Sequence, residues 1–400
     1  MFGLFKRSQP EINNSYQLLE SLGMGSPTTS GQLVNSKTAE SLPAVYCAVS
    51  TLAESLASLP IHVYQKNANG DKERANGHYI ERLFNLAPNE YQTSYDFKMA
   101  LMRSILLRGN GFAKIDYDGS ARPRELHFMH PDSVITKKLD SGRLGYQVTT
   151  SNGKSRSLLQ EEVLHIRYHS DDGITGKSPV QVCRESLGLG LALQAHGATQ
   201  FKNGVRPAGI LQTDSVFRDP NAFKRLQEQV NENYRGAQNV GKLMVLEHGL
   251  KWQPISLNNT DAEWLQSRHF SIADVARIFK LSPIFLMDYT NSTYSNFSEA
   301  QRAFLSQSLR PWLTNLQSAF TNKLISERNQ SNLIIEFETK DLLRATTEER
   351  FNVYDVAIRN GIMNPNEARR AENLTPRDGG DEFSQSWIQK GQPDGTGGQA

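Results

Sequence analysis

The stretch from Pro179 to Asn203 limits the possible folds more than any other part of the chain. Its spacing predicts one helix of about 24 residues, roughly 36 Å long at 1.5 Å per residue. Val180, Val182, Cys183, Leu187, Leu189, Leu191, Leu193, Ala195 and Ala198 leave it almost no polar face. Gly188, Gly190 and Gly197 lie inside it, each at a cost on the order of 1 kcal/mol relative to alanine. A helix that is apolar all round must be buried on several sides, and its glycines let neighbours approach closely. No run in the chain approaches the roughly 20 apolar residues of a membrane span. The burial must therefore come from a deep core or from other subunits.

Composition narrows the function. The chain has 400 residues, 38% of them hydrophobic, which suits two or three domains. Its 44 basic residues face 42 acidic ones, for a net charge of +2. Tight binding to nucleic acid draws on a clear basic excess, because neutralising phosphates releases counterions. The balance argues against such a grip and leaves room for a surface over which DNA slides. Cys47 and Cys183 lack any paired spacing, so neither a disulfide framework nor a zinc knuckle is expected. The N-terminal Met1 to Arg7 places its basic residues after a very short apolar stretch, the reverse of a secretory signal. A soluble protein that stays in the cell making it is the expectation.

Along the chain, residues 8 to 38 read as a mobile arm rich in Ser, Thr, Asn, Gln and Gly. Ala44 to Ala57 recur at helical spacing, with Ser41 as N-cap and Pro43 in the first turn. Pro60 stops that helix before a strand at Ile61 to Tyr64, and Asn69-Gly70 marks a turn. A helix from Ser94 to Leu107 ends at Gly109. Strands are predicted at 112–117, 125–129, 134–138, 146–149 and 163–168, giving an α+β half with one meandering, mostly antiparallel sheet. Beyond residue 205 come a helix at 221–234, strands at 242–246 and 252–255, and a helix at 261–279. A polar run from Asp288 precedes a helix from Phe297 to Ile325 that Pro311 must kink. A strand at 333–337, two short helices and a Gly/Gln tail complete the chain.

Catalytic chemistry is hard to find. Gly173-Ile174-Thr175-Gly176-Lys177-Ser178 sits between a strand and a helix, as a phosphate loop would. A Walker loop needs a glycine where this chain has Asp171, and a carboxylate there repels phosphate. Gly188-x-Gly190 lies inside a helix and lacks a third glycine, so it is a packing feature. His165 with His169, and His127 with His130, read as ordinary core or surface histidines, since no further ligand follows at a metal-site spacing. There is no G-x-S-x-G elbow, H-E-x-x-H or nucleophile–base set. No catalytic residue, cofactor or metal is assigned, and the chain is expected not to be an enzyme.

Several short segments carry a stronger signal in combination. They are Ala53-Glu54-Ser55-Leu56-Ala57-Ser58-Leu59-Pro60, Leu107-Arg108-Gly109-Asn110-Gly111-Phe112-Ala113, His130-Pro131-Asp132, Glu162 to Arg167 and Gly176-Lys177-Ser178-Pro179. Further on come Phe201-Lys202-Asn203-Gly204 with Arg206-Pro207, Leu250 to Pro254, Thr293 to Asn296, Leu309 to Leu313 and Asn364-Pro365-Asn366-Glu367. In this order they resemble the portal family of tailed phages, in the branch whose capsids follow the HK97 plan. The resemblance covers about residues 40 to 380.

The resemblance implies a portal fold that assembles as a ring, usually of twelve subunits. It has an α/β wing, two stem helices bracketing a small α/β clip, and a helical C-terminal crown. After an arm at 1–38, the wing spans 39–178 and resumes at 297–340. Stem helices at 179–204 and 257–281 flank a clip at 205–256. The tunnel-loop region is 282–296, the crown 341–384 and the tail 385–400. Asp288, Tyr289, Thr290, Asn291, Ser292, Thr293, Tyr294, Ser295 and Asn296 would face DNA, and relatives often have glycine where this chain has Met287. Leu187, Gly188, Gly190, Leu191, Ala195, Gly197 and Ala198 would form the stem interface between subunits. Implied partners are further copies of the chain, double-stranded DNA, the large terminase subunit, a head–tail connector and the capsid or scaffold protein, with no membrane. The implied location is the capsid vertex, reached from the host cytoplasm. A virion scaffold or connector that only joins proteins is the main alternative.

Overall fold

A computed structural model of the chain describes residues 26–67, 69, 71–150, 152–202, 209–212, 221, 224–225, 228, 251–254, 271–290, 294–339 and 347–384. It divides into two units, Met1–Glu338 and Thr339–Ala400. The predicted strand at 242–246, most of the helix at 221–234, residues 261–270, Asn291 to Thr293 and the tail at 385–400 fall outside the described residues.

Order starts earlier than expected. Strand β1 (Ser26–Pro27) pairs antiparallel with β2 (Leu33–Val34), and α1 (Ser36–Glu40) follows behind an Asn35–Thr38 capping box. Residues 26–38 are thus not a mobile arm. Their ordering rests on burial, with Ala39 fully enclosed and Thr28 and Val34 nearly so. Ser41 ends α1 by bonding back to the Thr38 carbonyl, so it is not the cap of the next helix. That helix, α2 (Pro43–Ser58), starts at Leu42 without a side-chain cap. It depends instead on one face, Val45, Ala48, Val49, Leu52 and Ala53, all fully buried. Each large apolar side chain so enclosed contributes about 1.5–3 kcal/mol.

The predicted strand at 61–64 is β3 (Ile61–Lys66), and it pairs antiparallel with β4 (Lys72–Arg74), a strand not expected from the sequence. Helix α3 (Tyr79–Asn85) leads to α4 (Ser94–Arg108), which Thr93 caps by accepting from the Asp96 N–H at 3.1 Å. The chain then runs through β5 (Asn110–Tyr117), β6 (Pro123–Met129), β7 (Val134–Lys138), β8 (Leu144–Thr149), β9 (Ser155–Leu159) and β10 (Val163–Arg167). One meandering sheet was expected. Two antiparallel sheets form here instead, ordered β10-β5-β6 and β7-β8-β9, and every pairing within them is antiparallel. Strand β9 gives little sequence signal because only Leu158 is buried along it. Phe112, Met129, Tyr146, Leu158 and Val163 make one buried cluster that joins the two sheets.

The helix predicted from Pro179 to Asn203 is interrupted. Ser178 caps a short turn, α5 (Pro179–Val182), and Cys183 breaks the helical backbone before α6 (Arg184–Lys202). A pattern of apolar residues carries no mark of such a break. Strand β11 (Gly209–Gln212) pairs with β12 (Lys251–Pro254), and α7 covers 271–279. Helix α8 (Tyr294–Ala303) passes into a π-helical turn (Phe304–Leu309) before α9 (Arg310–Leu324). Pro311 lacks an N–H to continue the α ladder. The distortion appears one turn earlier, as a π bulge in which the Arg310 N–H reaches Leu305 O.

The first unit closes on itself through this late segment. Strand β13 (Leu333–Phe337) pairs antiparallel with β3, completing a third sheet, β13-β3-β4. Along α9, Trp312 lies 4.2 Å from Tyr168 and Phe320 lies 4.4 Å from Phe84, ring centre to ring centre. In the second unit, α10 (Thr347–Arg359) and α11 (Pro365–Ala371) are tied by Arg350, whose guanidinium grips Glu372 through both carboxylate oxygens at 2.8 and 3.0 Å.

A backbone crossing organises the first unit. Gly109 ends α4 at φ 77°, and a Cβ there would lie 2.5 Å from the Lys177 carbonyl carbon. A Cβ on Gly176 would strike the Gly109 carbonyl oxygen. Asn110 locks the crossing: its Oδ1 accepts from the Gly176 N–H at 2.8 Å, and its Nδ2 donates to Gly176 O at 3.0 Å. His165 donates from Nε2 to the same Oδ1 at 3.0 Å, and its Nδ1 accepts from the Tyr146 hydroxyl at 3.3 Å. It is therefore a neutral core histidine stacked on Phe112, and burial pulls its pKa down to about 3.

That shift sets a pH dependence. The unfolded histidine takes up a proton below about pH 6.5, whereas the folded one stays neutral down to about 3. Acid therefore favours the unfolded chain across this window, by up to about 1.4 kcal/mol per pH unit from this group. Denaturant unfolding at several pH values checks it. The stability gap between wild type and His165→Gln should shrink as pH falls from 6.5 toward 4, and a constant gap would contradict the assignment.

Candidate functional site: a polar loop and a glycine-bearing helix

The polar loop is held from behind. Leu281, Ile284 and Leu286 are buried, and the Phe285 carbonyl accepts from Cys47 Sγ at 3.3 Å and Thr51 Oγ1 at 3.4 Å, both on α2. The short 3-10 turn Pro283–Leu286 ends at Met287, whose φ of 61° and ψ of 25° are left-handed. This is the backbone a glycine would take without strain, and methionine takes it at a cost of roughly 1–2 kcal/mol. The turn swings the chain outward, and Met287 and Tyr289 are 68% and 58% exposed. Asp288 Oδ1 accepts from both Thr290 N and Thr290 Oγ1, at 3.1 and 2.5 Å.

Of the nine predicted loop residues, Asp288, Tyr289 and Thr290 form this projecting segment, and Asn291, Ser292 and Thr293 fall outside the described residues. Tyr294, Ser295 and Asn296 are already helical, as the start of α8. Nothing between Tyr294 and Phe297 breaks a helix, so α8 reaches back farther than the hydrophobic pattern indicated.

The expected stem residues divide in the structure between buried and exposed positions. Leu187, Gly188, Gly190 and Gly197 are buried, yet what lies against the first two glycines belongs to the same chain. A Cβ on Gly188 would collide with the Thr28 side chain, and one on Gly190 would lie 3.0 Å from Ser271 Oγ and 3.4 Å from Leu42 Cδ1. The β1–β2 hairpin straps this face, and Glu185 Oε2 accepts from Thr29 N at 3.0 Å and Thr29 Oγ1 at 2.7 Å. Small residues are demanded equally by close packing within a chain and between chains, so sequence could not separate the two. Ala195 and Ala198 are exposed, Leu191 is half-buried, and Val182 and Leu189 are 61% and 52% exposed. Exposed apolar residues thus lie at Val182 on α5 and at Leu189, Ala195 and Ala198 on α6.

The phosphate-loop lookalike is filled by its own side chains. Asp172 Oδ1 accepts from Ile174 N at 2.7 Å and Thr175 N at 2.8 Å, while Lys177 pairs with Asp171. These backbone bonds hold the Asp172 carboxyl down to about 2. His127 Nε2 lies 3.1 Å from an Asp116 oxygen and 3.2 Å from a Glu125 oxygen, and His130 sits beside Asp132. Among the described residues no group of three or more His, Cys, Asp or Glu side chains is placed to hold a metal ion, and no helix is long and apolar enough to cross a membrane.

The phage portal protein family matches residues 43–373. The chain belongs to the phage portal family. It is 27% identical over 374 residues to the probable portal protein of Streptomyces phage phiC31, covering 88% of this chain and 79% of that one. With the portal protein of Enterobacteria phage HK97 it shares 25% identity over 354 residues, 87% and 82% of the two chains. Among solved structures, the fold is similar to a chain in the neck of an empty GTA (gene transfer agent) particle computed with C6 symmetry. That match has a TM-score of 0.61 and 23% identity, and it covers 92% of this chain and 96% of the other. As a portal protein, the chain has a structural role in the virion, and its mixed α/β fold is that of portal structures.

Met287 gives the loop anchor a direct check. Met287→Gly should stabilise the protein by about 0.5–1 kcal/mol, because it relieves left-handed strain at an exposed position where little packing is lost. Denaturant unfolding measures it, and a loss of stability would show that the methionine side chain itself holds the turn.

Proposed function

We propose that the chain is one subunit of a ring at the unique capsid vertex. The ring conducts double-stranded DNA during packaging and ejection and docks the large terminase subunit, a head–tail connector and the capsid or scaffold protein. Assembly takes place in the host cytoplasm, and the finished ring stays in the virion. One observation carries the reading: a polar, cation-free segment, Asp288 to Thr290, projects from a turn clamped on α2. The relative in a neck computed with C6 symmetry supports a ring, since closed symmetric assemblies repeat one interface.

A conduit has to confine DNA without holding it. Salt bridges to phosphate around the narrowest ring would act as a brake, since each releases counterions and deepens a bound state. Tyr289, Thr290, Asn291, Ser292 and Thr293 offer uncharged hydrogen bonds that exchange readily, and Asp288 adds mild repulsion. The buried base of the turn keeps the loop aimed while its tip adjusts. Wing, stem, clip and crown follow the bounds implied by the family. Neighbouring stems meet through the outward residues Val182, Leu189, Ala195 and Ala198.

Positive charge in the loop tests this. Tyr289→Lys would place one ammonium per subunit beside the DNA path, multiplied by ring symmetry. Packaging in vitro with purified motor should slow and stall at shorter lengths at low salt, and recover as salt screens the contact. Ring assembly should be unchanged, because Tyr289 is exposed and outside the core. Normal packaging by the variant at low salt would place the channel lining elsewhere.

A further inference from the structure

Among the described residues, Lys98 is the one lysine or arginine that is buried. It lies on α4, is only 4% exposed, and has no carboxylate beside it; burial alone lowers its pKa to about 8. Its ammonium donates once, to Leu59 O at 2.7 Å. An ammonium carries three N–H donors, and a buried charge without a counter-charge is costly. Capping the end of α2 accounts for one of the three.

A pocket of about 340 Å³ opens beside it, lined by Ala57, Pro60, Asn85, Leu86, Tyr95 and Lys98 among others. The neighbouring polar side chains are already engaged within the chain. Ser58 donates to Ser55 O, Asn85 bonds both ways with Ile61, Thr93 donates to Asp96, and Ser94 donates to Phe84 O. The spare hydrogen-bonding capacity beside the cavity lies with the Lys98 ammonium and, at the rim, the Tyr95 hydroxyl. The first turn of α4, a 15-residue helix, also borders the pocket, and its amide end favours negative charge. Asp96 in that turn is spent on Thr93. At the mouth, Leu86 is 69% exposed and Tyr95 41% exposed.

We propose that this pocket binds the C-terminal carboxylate of a partner polypeptide whose last residue is apolar, with Lys98 as the anchoring cation. The walls decide between a chain end and an acidic side chain. Ala57, Pro60 and Leu86 line the same small pocket as Lys98, so an occupant that fills it carries carboxylate and apolar group on the same residue. A C-terminal leucine-like residue does so, whereas Asp and Glu bring no apolar branch of their own. Charge neutralisation by the carboxylate removes the penalty of the lone buried ammonium.

The test uses the full-length protein and a fluorescein-labelled Gly-Ser-Gly-Ser-Leu peptide with a free C-terminus. Its C-terminal amide, an amidated peptide ending in Glu, and sodium acetate serve as comparisons. Anisotropy should show binding of the free-carboxylate peptide, weakened at least about tenfold by amidation or by Lys98→Met. Leu86→Glu, at an exposed position that leaves folding intact, should weaken it in the same way by setting like charge at the mouth. The bound peptide should also slow acetylation of Lys98 by acetic anhydride, read by peptide mass spectrometry, because a carboxylate contact raises the amine's pKa. No binding at millimolar peptide, equal binding of the amide, or protection as strong by acetate or the Glu-terminated peptide would overturn the proposal.

Discussion

The crossing of Gly109 over Gly176 is the constraint on which the first unit rests. The two glycine positions pass so closely that neither tolerates a Cβ, and Asn110 bonds both ways across the gap to Gly176, 66 residues on. The crossing fixes where α4 ends, where β5 and β10 begin to pair, and where the turn into Ser178 and Pro179 starts. His165 and Tyr146 extend the same hydrogen-bond chain into the second sheet. Because all these groups are buried and polar, each depends on the others for its partner, and losing one strands the rest.

The elements that carry function hang from this frame. Helix α6 leaves the crossing by way of α5, and the strap of residues 26–34 covers one of its faces. Leu189 on α6 and Val182 on α5 stay exposed outside that cover. The polar loop is a separate device. Its base is held by contacts to α2 and turned by a left-handed methionine. Under the proposed function, a held base with a polar tip would suit a passage for DNA, because the tip would stay in place without binding firmly.

Much of this was legible in the chain itself. A glycine directly after an apolar helix announced the stop at Gly109, and period-two patterns located most strands of the first sheets. The phosphate-loop lookalike was dismissed on Asp171, and that residue indeed pairs with Lys177. What escaped has physical reasons. Strand β9 buries one side chain, so it has no alternation to read. The hairpin at 26–34 is made of polar residues whose order comes from α6, a contact about 156 residues away in sequence. Gly188 and Gly190 announced close approach without saying to what. The left-handed backbone at Met287 cannot be read from a residue type that rarely adopts it. The family's ordered segments pointed to the portal family where the chemistry of single motifs stayed silent.

The most direct measurement is a cryo-electron microscopy reconstruction of the purified full-length protein. The account predicts a closed ring with a hole wide enough for duplex DNA and residues 288–293 at its narrowest part. Val182 and Leu189 of each subunit should be covered by the next. A protein that stays monomeric, or a ring whose 288–293 segments face outward, would contradict it.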